Sequence, residues 1–574
     1  MASESADTSE NALTEEQVAE RFRSRTFLDV AKAHSSFSEN PPALEHVVTL
    51  HNAGQIDLLE IVNWPAWAGI TSRSFFSVQQ YLNRAIPQID APLDRILAFI
   101  SALVEKGGNE GAALIPYDTL RQWFQQRPDQ ARAVCTQAQS AKFESLLCAV
   151  QGLGDIPTAQ ALVVSLEGVQ QRAVIDALAR IRHPTSEARA QTIDLLDQEV
   201  TRRSDDELRG AVLNALTLLF NVSQALIDDK ALTLVKRVLG EGGANTLCHA
   251  ARALLGSRAI MTPNLRTALL EALLQVDPEQ HGTINLLDLG LSELVRAGDG
   301  KEAVDFLTKL LDRRDFEVPF TQFDSFCSGL FGSGPTVLGY AMGRWLSSGK
   351  GPLCLAIEAV FSQQGLVQKP VDLDLSGAGL SDEDAYFACR KAIGFLFIHP
   401  IVIACFHIAT LRVVDAEHGE AILELLFDPL LTNFGGTVHE HLSAVAETDP
   451  LYAQVRTVLA RGDAYVEGLR VGDIKELWPP EQHKMLEYHR RSDEMRDIMK
   501  GAHKRSIFAD IVTRSTLLYG NRSISYVEGP DGERRRFDME LHSQGITQEW
   551  PRTETIDPVG LQEMLFSLRI ERRP

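Results

Sequence analysis

Ala173–Ile181 reads AVIDALARI, Ala211–Phe220 reads AVLNALTLLF and His249–Gly256 reads HAARALLG. Within them Ala177-Leu178, Ala215-Leu216 and Ala253-Leu254 follow one another at intervals of 38 residues. Each segment carries apolar residues three and four apart, the spacing of one face of an α-helix. A second set of helical patterns, TIDLLDQEV and ALTLVKRVL, falls between them, and LRTALLEALLQV follows the third. A helix pair of this size cannot bury its apolar faces alone, so a fixed period implies units that stack.

Short connectors such as RHPTSE, RRSDDE and LQVDPEQ separate the helices, and the small Ala in the middle of each first helix allows close approach of its partner. A chain of 574 residues is too long for one hydrophobic core, and repetition is one way for a core to grow. On this period, residues 128–370 resemble HEAT or armadillo-type α-solenoids, although the phase slips after Leu287 at LLDLGLSELV. The resemblance names no narrower family. It implies stacked helix pairs that present a long surface rather than a deep pocket.

The flanks differ in character. Residues 1–14 are small and acidic and are expected to be a disordered tail, after which Thr14 caps a helix with two glutamates in its first turn. Residues 15–127 read as an amino-terminal helical region interrupted by prolines in SENPP, NWPAW and AIPQIDAP. Residues 371–515 read as a compact helical domain, opened by Ser381 as N-cap. In residues 516–574, RSISYVE and RRRFDMELH alternate apolar and polar positions around GPDG, which predicts a β-hairpin. Ile524 and Tyr526 are expected to share its buried face with Phe537, Met539 and Leu541. A terminal helix follows, capped by Asp557, with Leu561, Met564, Leu565 and Leu568 as its stripe. The fold class is therefore mainly α: a HEAT-like solenoid, a compact helical domain and a small carboxy-terminal α+β element.

With 56 Lys+Arg against 77 Asp+Glu the net charge is −21, which argues against phosphate binding by the surface as a whole and against anionic membranes. The seven cysteines form no CxxC pair and read as reduced core residues of a cytoplasmic protein. The amino terminus shows neither the basic nor the apolar region of a secretory signal.

Several segments bear on chemistry. Ala392–Leu411 contains no Asp, Glu, Lys or Arg between Lys391 and Arg412, long enough for a membrane span. Pro400 at its centre, with His399 and His407, favours two buried helices instead. Eight of the fifteen histidines lie in this half, but His439-Glu440-His441 lacks the spacing that sets two ligands on one helical face, so no metal and no cofactor is expected. FGSGPTVLG lacks the GK[ST] ending of a phosphate loop and reads as a connector. Pro530-Asp531 reads as turn chemistry rather than as part of a nuclease site.

The remaining candidate is cationic. Lys484 to Arg514 holds eight Lys/Arg against five Asp/Glu. Its helix carries Lys484, Arg490, Arg491, Arg496, Lys500, Lys504 and Arg505, and Arg534, Arg535 and Arg536 in the hairpin extend the set. This is a candidate contact for nucleic acid or an acidic partner. The other reading is a solvated helix laced with pairs such as Arg490 with Glu494, Asp493 with Arg496 and Asp497 with Lys500.

No clustered nucleophile, base or metal set stands out, so no catalytic residue is named. The expectation is a non-enzymatic scaffold or adaptor that binds a protein partner, with nucleic acid as a second partner through the local basic face. The Ala-, Leu-, Asp- and Gly-rich usage looks bacterial, and by analogy with helical-array proteins of this size the expected setting is a multi-protein system, phage defence among them. The alternative is an effector or enzyme sited in the His-rich carboxy-terminal half.

Overall fold

Burial follows the period: Ala177, Leu178, Ala215, Leu216, Ala253 and Leu254 are all buried. The computed structural model describes residues 13–33, 43–70, 72–108, 114–203, 205–256, 258–363, 369–469, 479–504, 512–517, 522–528, 534–540 and 553–573. The chain is mainly helical and divides into two compact units, Met1–Ser333 and Gly334–Pro574. The boundary expected at residues 370/371 lies within the second unit. The expected acidic tail falls almost entirely outside the described residues, which begin with Leu13 and the N-cap Thr14.

In the first unit, helices from Glu15 to Gly107 precede a regular series. The series comprises α1 (Leu114–Gln126), α2 (Phe143–Leu153), α3 (Ile156–Ser165), α4 (Gly168–Arg180), α5 (Ser186–Arg202) and α6 (Asp206–Ser223). It continues with α7 (Asp229–Gly240), α8 (Ala244–Gly256), α9 (Pro263–Leu273), α10 (His281–Arg296), α11 (Gly300–Leu311) and α12 (Asp324–Gly332). α1, α2, α4, α6, α8, α10 and α12 pack each on the next, and α3, α5, α7 and α9 do the same in a second layer. The packing therefore runs past Leu287, where the sequence phase slips. Gly290 of α10 explains the continuity, because a Cβ there would stand 3.1 Å from Leu254 of α8.

Polar side chains reach one period along the chain and tie neighbouring helices together. Asp206 at the start of α6 accepts from Gly243 N at 2.6 Å, Asn245 N at 2.7 Å and Thr246 Oγ1 at 2.6 Å, capping α8. Asp288 of α10 accepts from Ser325 N and Phe326 N at 3.1 and 2.8 Å, capping α12. Arg313 donates to the carbonyls of Leu274 and Val276 just beyond α9, at 2.6 and 2.9 Å. Helix ends leave such backbone groups without intrahelical partners, and here a neighbouring segment supplies them.

The second unit holds α13 (Pro335–Ser347), α14 (Gly351–Gln363), α15 (Asp382–Leu396), α16 (Pro400–Leu411), α17 (Ala416–Leu425), α18 (Tyr452–Gly468) and α19 (Glu481–Lys504). α13, α15, α17 and α18 pack in succession. The apolar run Ala392–Leu411 breaks at Pro400, and every residue of α16 is buried. Among the described residues no helix is long and apolar enough to cross a membrane.

Among the described residues, three strands form one antiparallel sheet: β1 (Val512–Leu517), β2 (Arg522–Glu528) and β3 (Arg534–Glu540). The expected domain boundary at 515/516 would cut β1, a strand the sequence reading omitted. The expected face is also corrected. Ile524 pairs with Asp538 and Tyr526 with Arg536, while Phe537 and Met539 stand opposite Ser525 and Ser523. Five residues join β2 to β3, so even positions meet even positions; GPDG as a four-residue turn would give the opposite parity. Leu541 lies outside the described residues.

The chain ends in α20 (Pro558–Ile570), capped by Asp557, whose Leu561, Leu565 and Leu568 are buried. It packs on α15, where a Cβ at Gly394 would stand 3.2 Å from Leu568 Cβ. Lys391 of α15 is completely buried and donates through Nζ to the carbonyls of Leu568, Arg569 and Glu571 at 2.7–2.8 Å. One ammonium thus satisfies three carbonyls at the C-terminal end of α20, where the helix dipole favours a cation.

Candidate functional site

The period that places Ala and Leu in the core also places polar residues beside them. Asp176 of α4, Asn214 of α6 and Arg252 of α8 succeed one another at 38 residues, one position before each buried Ala. Asn214 Nδ2 donates to Asp176 Oδ1 at 3.0 Å, and Arg180 donates to Asp176 Oδ2 at 3.2 Å. Arg172 pairs with Glu207 on the next helix. With Phe143, Asn245 and His249 these residues line a groove of about 900 Å³ across α2, α4, α6 and α8.

Gly210 shapes this groove, since a Cβ there would lie 2.4 Å from Asn245 Nδ2 and 2.8 Å from His249 Cδ2. Its absence lets α8 bring both side chains against α6. Burial pushes the His249 imidazole below its ordinary pKa, and the adjacent Arg252 adds to the shift. Its Nδ1 has no hydrogen-bond partner among the described residues. The groove thus presents guanidinium, amide, carboxylate and neutral imidazole in a row, a set suited to polar contacts along an extended partner. Sequence reading missed this row because it followed apolar residues; the same period applied to polar positions identifies Asp176, Asn214 and Arg252.

The cations singled out in the sequence fall on two elements. Lys484, Arg490, Arg491, Arg496, Lys500 and Lys504 lie on α19, and Arg534, Arg535 and Arg536 are consecutive in β3, with Arg535 and Arg536 exposed. Arg505 lies outside the described residues. On α19, Arg490 lies 3.1 Å from Glu487 and 3.9 Å from Glu494, and Lys500 lies 3.4 Å from Asp497. Arg496 pairs with Asp493. All these side chains are exposed, so each pair contributes only about 0.2–0.5 kcal/mol to the helix.

The histidines of the second unit are dispersed. His407 is buried against the Cys389 carbonyl at 3.2 Å, and His439 lies 3.1 Å from Asp463. Asp382, Asp415 and His418 bring potential ligand atoms within 4.8 Å of one another. Asp415 is the N-cap of α17, accepting from His418 N and holding its Nδ1 at 2.9 Å. Cys405 Sγ stands 3.4 Å from His441 Nε2. Burial pushes that thiol up and that imidazole down, the reverse of an activated cysteine–histidine pair. Burial likewise pushes Cys148, Cys327, Cys354 and Cys389 up to about 12.

No protein-family profile, no curated protein and no solved structure matches this chain.

Proposed function

We propose that the chain is a non-enzymatic scaffold or adaptor, a HEAT-like array whose groove across α2, α4, α6 and α8 receives a protein partner. The observation that carries this reading is the polar row at Asp176, Asn214 and Arg252, set on the same period as the core and left facing a groove. Asn214 also bonds α6 to α4 through Asp176, but with Arg172, Arg252 and His249 the row lines the groove, and a binding surface repeats polar groups along its length.

The test is affinity purification of the full chain from its native host, with the mass and stoichiometry of the retained protein measured. A stoichiometric partner retained by the natural chain and lost by Asn214→Lys/Arg252→Glu, with circular dichroism unchanged, is the expected result. Retention unaffected by that double variant, or a lone monomer under the same conditions, would refute the reading.

A further inference from the structure

α19 is the helix least explained by the packing of the second unit. From Glu481 to Lys500 every residue is exposed, including Met485, Tyr488, Met495 and Met499, whose exposures run from 40% to 72%. These four, with Ser492, are spaced three, four, three and four residues apart. That is the seam of a two-helix coiled coil, with apolar residues at the a and d positions of successive heptads.

The charges are sorted about this seam. Lys484, His489, Arg491 and Arg496 occupy the flanking e and g positions, where a partner helix makes its ion pairs, and Ile498 fills the one other flank. Glu487, Asp493, Glu494 and Asp497 all lie on the opposite side, at b, c and f, together with Arg490 and Lys500, which pair with Glu487 and Asp497 there. Flanking charges select the partner in such assemblies. A second copy would set cation against cation in either orientation, Arg491 facing Arg496 in the parallel pair and Arg491 facing its own counterpart in the antiparallel one. A membrane or nucleic acid responds to the helix as a whole, because its width is close to the screening length in physiological salt. Over Glu481–Lys504 it would meet six Lys/Arg and five Asp/Glu, almost no net charge.

We infer that the Met485–Met499 seam docks an amphipathic helix of a partner protein, apolar along its own seam and acidic on both flanks. The inference deepens the adaptor reading and rests on it, giving the second unit a docking surface of its own. Methionines suit the role because their unbranched, polarisable side chains adapt to different knobs, and Ser492 at a central a position weakens the seam while favouring one register.

The test uses the full chain and two designed fluorescent peptides of three heptads, leucine at a and d, one with glutamate and one with lysine at e and g. Fluorescence anisotropy is expected to show the glutamate peptide binding at least about tenfold more tightly, a difference of about 1.4 kcal/mol. Arg491→Glu/Arg496→Glu should reverse the preference, and Met495→Asp/Met499→Asp should abolish binding of both. Equal binding of the two peptides, or of neither, would overturn the inference. So would tighter binding of duplex DNA or phosphatidylserine vesicles that is lost in the charge-reversed variant, or seam-dependent dimers in sedimentation. If the purified native partner survives the α19 variants but not Asn214→Lys/Arg252→Glu, the docking helix fails while the adaptor reading stands.

Discussion

His407 shows how a single residue of the apolar run can set the acid limit of the second unit. It is wholly buried on α16, its Nε2 bonded to the Cys389 carbonyl, and burial drives its pKa down to about 4. The folded imidazole is therefore neutral, while the unfolded one titrates at the ordinary value near 6.5. Because the folded pKa is the lower one, the stability from this residue is complete above about 6.5 and declines as pH falls toward 4. The decline amounts to roughly 3 kcal/mol at its limit. Urea unfolding from pH 7 to 4.5 should show a steep loss in the natural chain and a shallower one in His407→Leu, even if that variant is weaker at pH 7. Parallel slopes would mean that other groups govern acid unfolding.

Lys391, the other end of the same run, governs a whole element. Its ammonium is the buried cap of α20, and nothing else in α15 replaces the three carbonyl contacts it makes. Lys391→Met keeps most of the side-chain volume but leaves those carbonyls without their donor, at a cost of about 1–3 kcal/mol for each that stays buried and unpaired. α20 should then exchange its amide hydrogens and be cleaved by protease well before α15, and an unchanged exchange rate across residues 558–570 would contradict this account. The sequence displayed Lys391 only as the flank of an apolar stretch, because its partners lie some 180 residues on. The same limit hid the caps made by Asp206 and Asp288, whereas Thr14, Ser381 and Asp557 were legible because they cap their own helices. The ion pairs of α19 were legible for the same local reason. The pairing of β2 with β3 was misread at the level of parity, since the length of the connection decides which residues face each other and GPDG gave one residue too few. Of the proposed binding surface, the cations of α19 were visible in the sequence, but not the polar row of the groove or the seam that gives those cations a direction.

At the scale of the first unit, the hydrogen bonds that link helices recur at separations near one period: Asn214 to Asp176, Phe326 to Asp288, Arg313 to Leu274 and Thr246 to Asp206. Tertiary structure of this kind is built from neighbours, and damage to one helix should spread to the helices packed on it before distant ones. Leu216 tests this, because it is fully buried on α6 between α4 and α8. Leu216→Ala should cost about 2–5 kcal/mol through lost contacts and the cavity left behind. Hydrogen exchange should show that cost chiefly in α4, α6 and α8, with α1 and α12 keeping their protection. A uniform loss across the unit would describe one cooperative core, and the groove would then have to be treated as part of a globular domain. A graded loss centred on α6 would instead mean that each segment of the groove owes its rigidity to its own pair of neighbouring helices, so substitutions along it would weaken binding of the proposed partner position by position.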